Sequence, residues 1–264
     1  MVNITQQKMK ESYSMSEFTA CILSRQLVDT TLGLVGANAL VPMAACMLAQ
    51  EIQAPNLTWI SGGSGYVNPM YPLVLSSSSY RTRAEAVLPM ERIIALQGKS
   101  IDFFFAGGLQ FDAFGRVNLV GIGKPLNNSY TLRGPGSAGI SFLAKAKRVF
   151  YYTNRHTKEV FVPQLDYISA VPQPPLDLAK QQRNKKPHMI VSPLGVFSFS
   201  PPDEPMFPIS IHPGVTREDV IINTGFEFKE NLLNVEIPTT MQPTEEELEL
   251  LREKIDPKGL LKKF

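Results

Sequence analysis

Reactive side chains are scarce in this chain, which has two cysteines and three histidines in 264 residues. Cys21 and Cys46 lie in apolar, helix-like stretches, so they read as small core residues rather than a disulfide framework. His156, His188 and His212 are scattered without His-Glu-x-x-His or similar spacing, so no metal site is expected. An excess of one charge is also missing. The formal net charge is +2, which excludes the basic footprint of a nucleic-acid binder. Lys and Arg gather only at Arg183 to Lys186 and at Lys258 to Lys263, which read as a solvated loop and tail. No long apolar run is uninterrupted. Leu32 to Ala49 comes nearest, but Gly33, Gly36, Asn38 and Pro42 break it, so it reads as a strand, a glycine turn and a helix rather than a membrane span. The first eighteen residues, MVNITQQKMKESYSMSEF, have no apolar signal-peptide core, and residues 1–13 are expected to be flexible. The expectation is a soluble, cytoplasmic protein with no internal repeat.

What is present is enough apolar residue to build a core, at 44% hydrophobic against 19% charged. Ser14-x-x-Glu17 is a capping box that opens a helix running to about Leu27. Thr30 to Val35 reads as a strand. Pro42 suits a first helical turn, with a helix continuing through Met43 to Ile52. Leu57 to Ile60 reads as the next strand. Strand, helix and strand with short connections imply a parallel sheet. Leu88 to Gln97 looks helical, Ile101 to Ala106 reads as a buried strand and Arg148 to Thr153 as another. Asp112 to Gly115 is a turn in which Gly115 supplies positive φ. Val171 to Pro193 is irregular, while Met189 to Val191 and Gly195 to Phe199 alternate like a hairpin. Thr244-x-x-Glu247 is a second capping box, before an amphipathic helix through Leu248, Leu251 and Ile255. The fold class expected is α/β: a mostly parallel central sheet flanked by helices, with an irregular, hairpin-containing C-terminal part, the whole 1–264 forming one domain.

Three glycine loops interrupt this pattern. The first is WISGGSGYVNP, Trp59 to Pro69. It has no Lys-Ser or Lys-Thr pair, so it is not a P-loop. Asn68 stands where the third glycine of a dinucleotide fingerprint belongs. Tyr66 stands where a nucleophile elbow needs glycine. A plain tight turn and a ligand loop both remain open, although loops at the carboxyl ends of parallel strands are where ligands bind. The second loop is Gly107-Gly108 after the IDFFFA strand, and the third is Arg133-Gly134-Pro135-Gly136-Ser137-Ala138-Gly139. Together the three suggest a long, phosphate-bearing ligand held by backbone N–H groups.

Read in order, these segments resemble the β-subunits of the family I CoA-transferases, of the glutaconate CoA-transferase type, from about Glu17 to Gly259. Ser61-Gly62-Gly63 with Asn68-Pro69 stands where the family has Glu-Ser-Gly or Glu-Asn-Gly. Ala106 to Gln110 and Asp112 to Asn118 are similar to its Gly-Gly-Ala-Gln and Asp-x-x-Gly-Asn-Val-Asn runs, and Arg133 to Gly139 resembles its Gly-Ser-Gly-Gly loop. Glu218-Asp219-Val220 with Asn223 to Phe226, and Leu251 to Pro257, resemble its C-terminal pattern. The resemblance implies an acyl-CoA enzyme that works with a homologous α-like subunit as a heterodimer or heterotetramer. It would have CoA thioester as substrate, no permanently bound cofactor, and no nucleic-acid or membrane partner.

One departure decides the chemistry expected. The family's Glu forms an anhydride and then a thioester, which needs a carboxylate, and Ser61 stands in its place. Relatives without that Glu hydrolyse a C–C bond of a steroid-derived CoA ester or decarboxylate a glutaconyl-type ester. Leu194 to Phe199 and His212 to Val220 look similar to the ring-opening hydrolases. A C–C-cleaving hydrolase is therefore the leading expectation, with Gly62 and Gly63 as oxyanion N–H donors. Ser64, Tyr66 and Asn68 are expected to face the acyl group. Gly107, Gly108, Gln110, Asn118, Arg133, Gly134, Gly136, Ser137 and Gly139 are expected around CoA or the site wall. The alternatives are a transferase using Glu85 or Glu91, a decarboxylase, and a non-catalytic scaffold that binds CoA esters.

Overall fold

The computed structural model describes residues 13–37, 39–96, 101–124, 129–140, 146–172, 188–200, 204–228 and 236–263. They fall into two compact units, one holding residues up to Phe105 together with Met241 onward, the other Ala106 to Thr240. Among the described residues no helix is long and apolar enough to cross a membrane. The basic cluster at 183–186 lies outside them, as do most of the irregular stretch and residues 1–12.

In the first unit, α1 (Met15–Ser24) begins at the Ser14 capping box, whose two reciprocal bonds are both formed. The helix is buried from Ser16 to Ser24, its apolar residues Phe18, Ala20, Cys21 and Leu23 almost wholly so. α2 (Leu40–Ile52) packs against it, with Pro42 in its first turn. Strands β1 (Leu32–Val35) and β2 (Thr58–Ser61) flank α2 in sequence and pair in parallel. β5 (Ile101–Ala106) pairs in parallel with β1 from the other side. Beyond β2 the pairing becomes antiparallel through two short strands, β3 (Tyr66–Val67) and β4 (Ala86–Val87), and β4 ends the row. α3 (Met90–Ala95) follows β4 and buries only Ile93. β1 starts two residues later than expected because Thr30 takes a left-handed conformation, φ 60°.

The last helix, α5 (Glu245–Glu249), also opens on a formed capping box and then widens into a π-helical turn, Leu250–Ile255. Its ion pairs mirror those of α1. The capping-box Glu17 receives Arg252 at 2.8 Å, and the capping-box Glu247 receives Arg25 at 2.7 and 2.5 Å. Burial alone would raise both carboxyls; the guanidinium and capping hydrogen bonds outweigh it and hold them below the usual carboxylate range.

The second unit is built on β10 (Ala146–Tyr152), parallel to β11 (His188–Ser192). β12 (Gly195–Ser200) returns from β11 as the expected hairpin. β13 (Glu204–Ile211) adds an edge with two register shifts. Pro205 and Pro208 lie in β13, which an edge strand tolerates because part of its backbone needs no partner. Phe111, Tyr151, Phe161, Phe197 and Phe199 fill the core with ring contacts. Two ribbons complete the unit: β6 (Gln110–Phe111) with β7 (Val117–Asn118), and β8 (Gly121–Lys124) with β9 (Ser129–Arg133). α4 (Arg217–Asn223) carries a Thr216–Asp219 capping box. The sheet pairing is thus mixed, parallel at the strand–helix crossover and antiparallel at the hairpins, within the expected α/β class.

Candidate active site

The parallel ladder of β1 and β2 does not stop at its last registered pair, Val35 and Ser61. It runs one residue further, because the Gly62 N–H donates to the Val35 carbonyl at 2.6 Å. This corrects the expectation for Gly62: its amide is committed to the sheet and is not available to an oxyanion. The chain then closes a single turn, Gly65 N–H to Ser61 O at 2.9 Å. Gly63 and Gly65 take φ of 83° and 75°, which L side chains rarely adopt. A Cβ on Gly65 would stand 2.0 Å from the Leu88 carbonyl. The turn leaves the Gly63 and Ser64 amides without a partner among the described residues. The two consecutive N–H groups, one on left-handed Gly63 and one on Ser64 just before left-handed Gly65, form a donor pair of the kind that binds anions.

Ser61 is buried at the end of β2. Its hydroxyl accepts from Ser64 Oγ at 3.1 Å, so two hydroxyls face each other where a nucleophile would need a base. Tyr66 and Asn68, expected to face an acyl group, point to other work. Tyr66 is buried, with its ring 6.4 Å from that of Tyr80. Asn68, at φ 43°, accepts from Trp59 N–H at 2.9 Å and donates to Glu85 at 3.0 Å. Its amide therefore pins β3 to β2, and Glu85 fixes which way that amide faces. Glu85 is exposed, and its carboxylate reaches Asn68. Glu91 is exposed in the first turn of α3.

In the second unit, Gln110 and Asn118 are almost fully buried and bonded to each other at 2.8 Å. Asn118 also bonds Val120 N–H, Gly121 N–H and the Gly121 carbonyl. Gln110 Oε1 accepts from Asp166 N–H at 3.1 Å. The two amides tie loop segments together, and only Gln110 Nε2 has no partner among the described residues. Gly108 is packed hard against Val117 and Phe111, whereas Gly107 is half-buried. Arg133 donates to the Val120 carbonyl at 3.0 Å and lies over the Tyr130 ring. Gly134 and Gly136 anchor their loop through N–H bonds to Val120 and Leu119. From there the loop is open: Gly136 and Gly139 have nothing within 4 Å of a Cβ position. The Ser137, Ala138 and Gly139 amides have no partner among the described residues.

The structure also builds one cluster that no sequence signal announced, because its members are far apart in the chain. His156 sits between Ser192 at 2.7 Å and Thr224 at 3.0 Å. Thr224 gives its own proton to the Val220 carbonyl at 2.7 Å. His156 must then donate from Nε2 and accept the Ser192 proton at Nδ1. This resembles a nucleophile–base pair, but it is a packing device. Ser192 is fully buried, the imidazole stacks on Phe161, and burial, aided by His212, lowers its pKa to about 3. Among the described residues no group of three or more His, Cys, Asp and Glu is placed to hold a metal.

The coenzyme A transferase family model matches residues 41–223. A 3-oxoadipate CoA-transferase subunit from Pseudomonas knackmussii is 30% identical over 248 residues, 91% of this chain and 93% of that one. The cholesterol ring-cleaving hydrolase IpdB subunit of Rhodococcus jostii is 30% identical over 226 residues, 84% of each. The crystal structure of Rhodococcus jostii IpdAB superposes with a TM-score of 0.75 at 26% identity, covering 96% of this chain and 98% of that one. By the family match and by these relatives, the chain belongs to the coenzyme A transferase family.

Proposed function

We propose that this chain is one subunit of a cytoplasmic acyl-CoA hydrolase that adds water across a C–C bond of a cyclic or β-keto CoA ester. It would work with a homologous α-like subunit and without a bound cofactor. The transferase and the hydrolase relatives are equally identical to it, so identity does not choose between them. The observation that carries the choice is the end of β2, where Ser61 presents a hydroxyl paired with another hydroxyl. An exchangeable anhydride needs a carboxylate there. Glu85, the nearby carboxylate that could substitute, is bonded to Asn68.

The chemistry follows from the thioester, which acidifies its α-carbon. Water adds to the β-carbonyl, the bond to the α-carbon breaks, and its electron pair becomes a thioester enolate that takes up a proton. One water is consumed, and the products are a carboxylate and a shortened or ring-opened CoA ester. The Gly63 and Ser64 amides would hold the enolate oxygen, replacing the Gly62–Gly63 pair first expected. Ser61 then shapes the loop and makes room for a bulky acyl group, and the base comes from the partner subunit. The open amides at 137–139 and Arg133 are the proposed CoA contacts in the second unit.

The test is mass spectrometry of a cyclic β-keto CoA ester incubated with the two-subunit enzyme in H2-18O. Addition of one water, with 18O in the new carboxylate and no acceptor acid required, supports the reading. Movement of CoA onto an added carboxylic acid refutes it.

A further inference from the structure

The basic segment from Lys258 to Lys263, expected from the sequence to be a solvated tail, is folded back on the first unit. Asp256 follows the π-helical turn and takes the Leu260 and Leu261 amides, at 2.8 and 2.7 Å, one on each carboxylate oxygen. Gly259 donates to the Asp256 carbonyl at 2.9 Å and takes φ 62°, which L side chains rarely adopt. Leu260 and Leu261 are buried by this bend, and a short 3-10 turn, Leu261–Lys263, follows it. The Lys262 stem lies back over the bend, its Cδ 3.9 Å from a Cβ position on Gly259.

The bend walls a cavity of about 310 Å³, whose charged lining is Glu17, Arg252, Asp256, Lys258 and Lys262. All five belong to the first unit, and the volume is at the small end of ligand pockets. The two carboxylates are already provided for. Glu17 receives the Ser14 amide at 2.7 Å and Arg252 at 2.8 Å, and Asp256 receives its two amides. Lys258 and Lys262 have no ion pair among the described residues, whereas Lys254, just before the bend, is paired with Glu51 at 2.6 Å. Both lysines are exposed, so a solute reaches them. The lining thus carries three cations against two carboxylates, and the charge left over is ammonium. A phosphate monoester is close to a dianion at neutral pH and has three strong acceptor oxygens, enough for two ammonium groups at once. A carboxylate brings one charge and two oxygens. We propose that this cavity binds a small phosphate monoester, held between Lys258 and Lys262. Its lining shares no residue with the Ser61–Gly65 turn, so the site does not depend on which CoA chemistry the chain performs. An occupant would tie the C-terminal bend to the Glu17–Arg252 pair and stabilise the chain by mass action.

The experiment titrates the full chain, at constant ionic strength, with glycerol 3-phosphate, inorganic phosphate and coenzyme A, read by calorimetry and by Tm. The variants are Lys258→Gln with Lys262→Gln at the cavity, and Arg155→Gln with Lys158→Gln, two exposed cations of the second unit. Glycerol 3-phosphate should bind the wild type at one site and raise its Tm. The cavity pair should bind it about tenfold more weakly or worse, with an unchanged Tm in the absence of ligand, and the control pair should bind like the wild type. Inorganic phosphate that binds as tightly as the ester would make the free ion the occupant of the same site. An unchanged affinity in the cavity pair, an equal loss in both pairs, or no binding of either phosphate at millimolar concentration overturns the proposal. Coenzyme A affinity that falls in step in the cavity pair would make the cavity part of the acyl-CoA site and overturn its independence.

Discussion

Lowering the pH from 7 to 5 should destabilise this protein through its three histidines before any carboxylate is involved. All three are buried. Burial lowers His156 to about 3, and His188 and His212 to about 4. His188 cannot accept a proton at Nδ1 without losing the Val149 N–H, which it receives at 2.9 Å. In the unfolded chain each imidazole titrates near 6.5. The unfolded state therefore binds more protons between about pH 6.5 and pH 4. The stability contributed by the neutral imidazoles is complete above 6.5 and is lost as the pH falls toward the folded values. A pH of 5 lies about 1.5 below the unfolded pKa of each histidine, which costs about 2 kcal/mol at about 1.4 kcal/mol per unit. The three together reach about 6 kcal/mol, comparable with the whole stability of many domains. Urea unfolding at half-unit steps from pH 7 to 5 reads the slope. It should approach three protons per molecule below pH 6, and His156→Gln should lower it by about one proton whatever that variant's own stability. A wild-type slope under one proton, or an unchanged slope in the variant, would refute the reasoning.

Glu247→Ala removes the return bond of the Thr244 capping box and leaves the Arg25 guanidinium without its carboxylate, at a cost of about 2–3 kcal/mol. A Tm drop of roughly 5–10 °C is expected, against almost none for the exposed Glu249→Ala; equal drops would mean that the ion pair contributes nothing. Gly65→Ala forces a Cβ onto the Leu88 carbonyl at positive φ and should cost about 2–4 kcal/mol, whereas Gly136→Ala, at φ 92° in open space, should cost about 1–2 kcal/mol; urea midpoints of the two variants decide. Asp112 takes the Phe114 and Arg116 amides and pairs with the Arg116 side chain. Asp112→Ala should therefore lose about 2–3 kcal/mol and Asp112→Asn less than half of that, and denaturation curves that do not separate them would show that the turn holds without its carboxylate.

Local signals in the sequence were legible. Both capping boxes form as read, the Asp112–Gly115 turn has its left-handed glycine, and the β1–α2–β2 crossover is parallel. These features depend on neighbours within four residues or on a short connection. What the sequence hid depends on distant partners. Nothing near Gly62 tells that its amide is taken by Val35. Gln110 and Asn118 look like polar ligand residues until their mutual burial is seen. β13 carries two prolines, which argue against a strand unless its place at an edge is known. The Ser192–His156–Thr224 cluster joins residues up to 68 apart, so no spacing rule finds it.

The paired clasp between α1 and α5 has a consequence for synthesis. Glu17 and Arg25 receive their partners 235 and 222 residues later. At about 5–20 residues per second on a ribosome, the first helix waits tens of seconds for the last one. Every residue of the second unit, Ala106 to Thr240, leaves the ribosome before the first unit has its closing helix. The later-encoded unit is thus free to fold first. A stop codon at Met241 would leave a finished second unit attached to a first one that still exposes part of the buried face of α1, a ready substrate for chaperones and proteases.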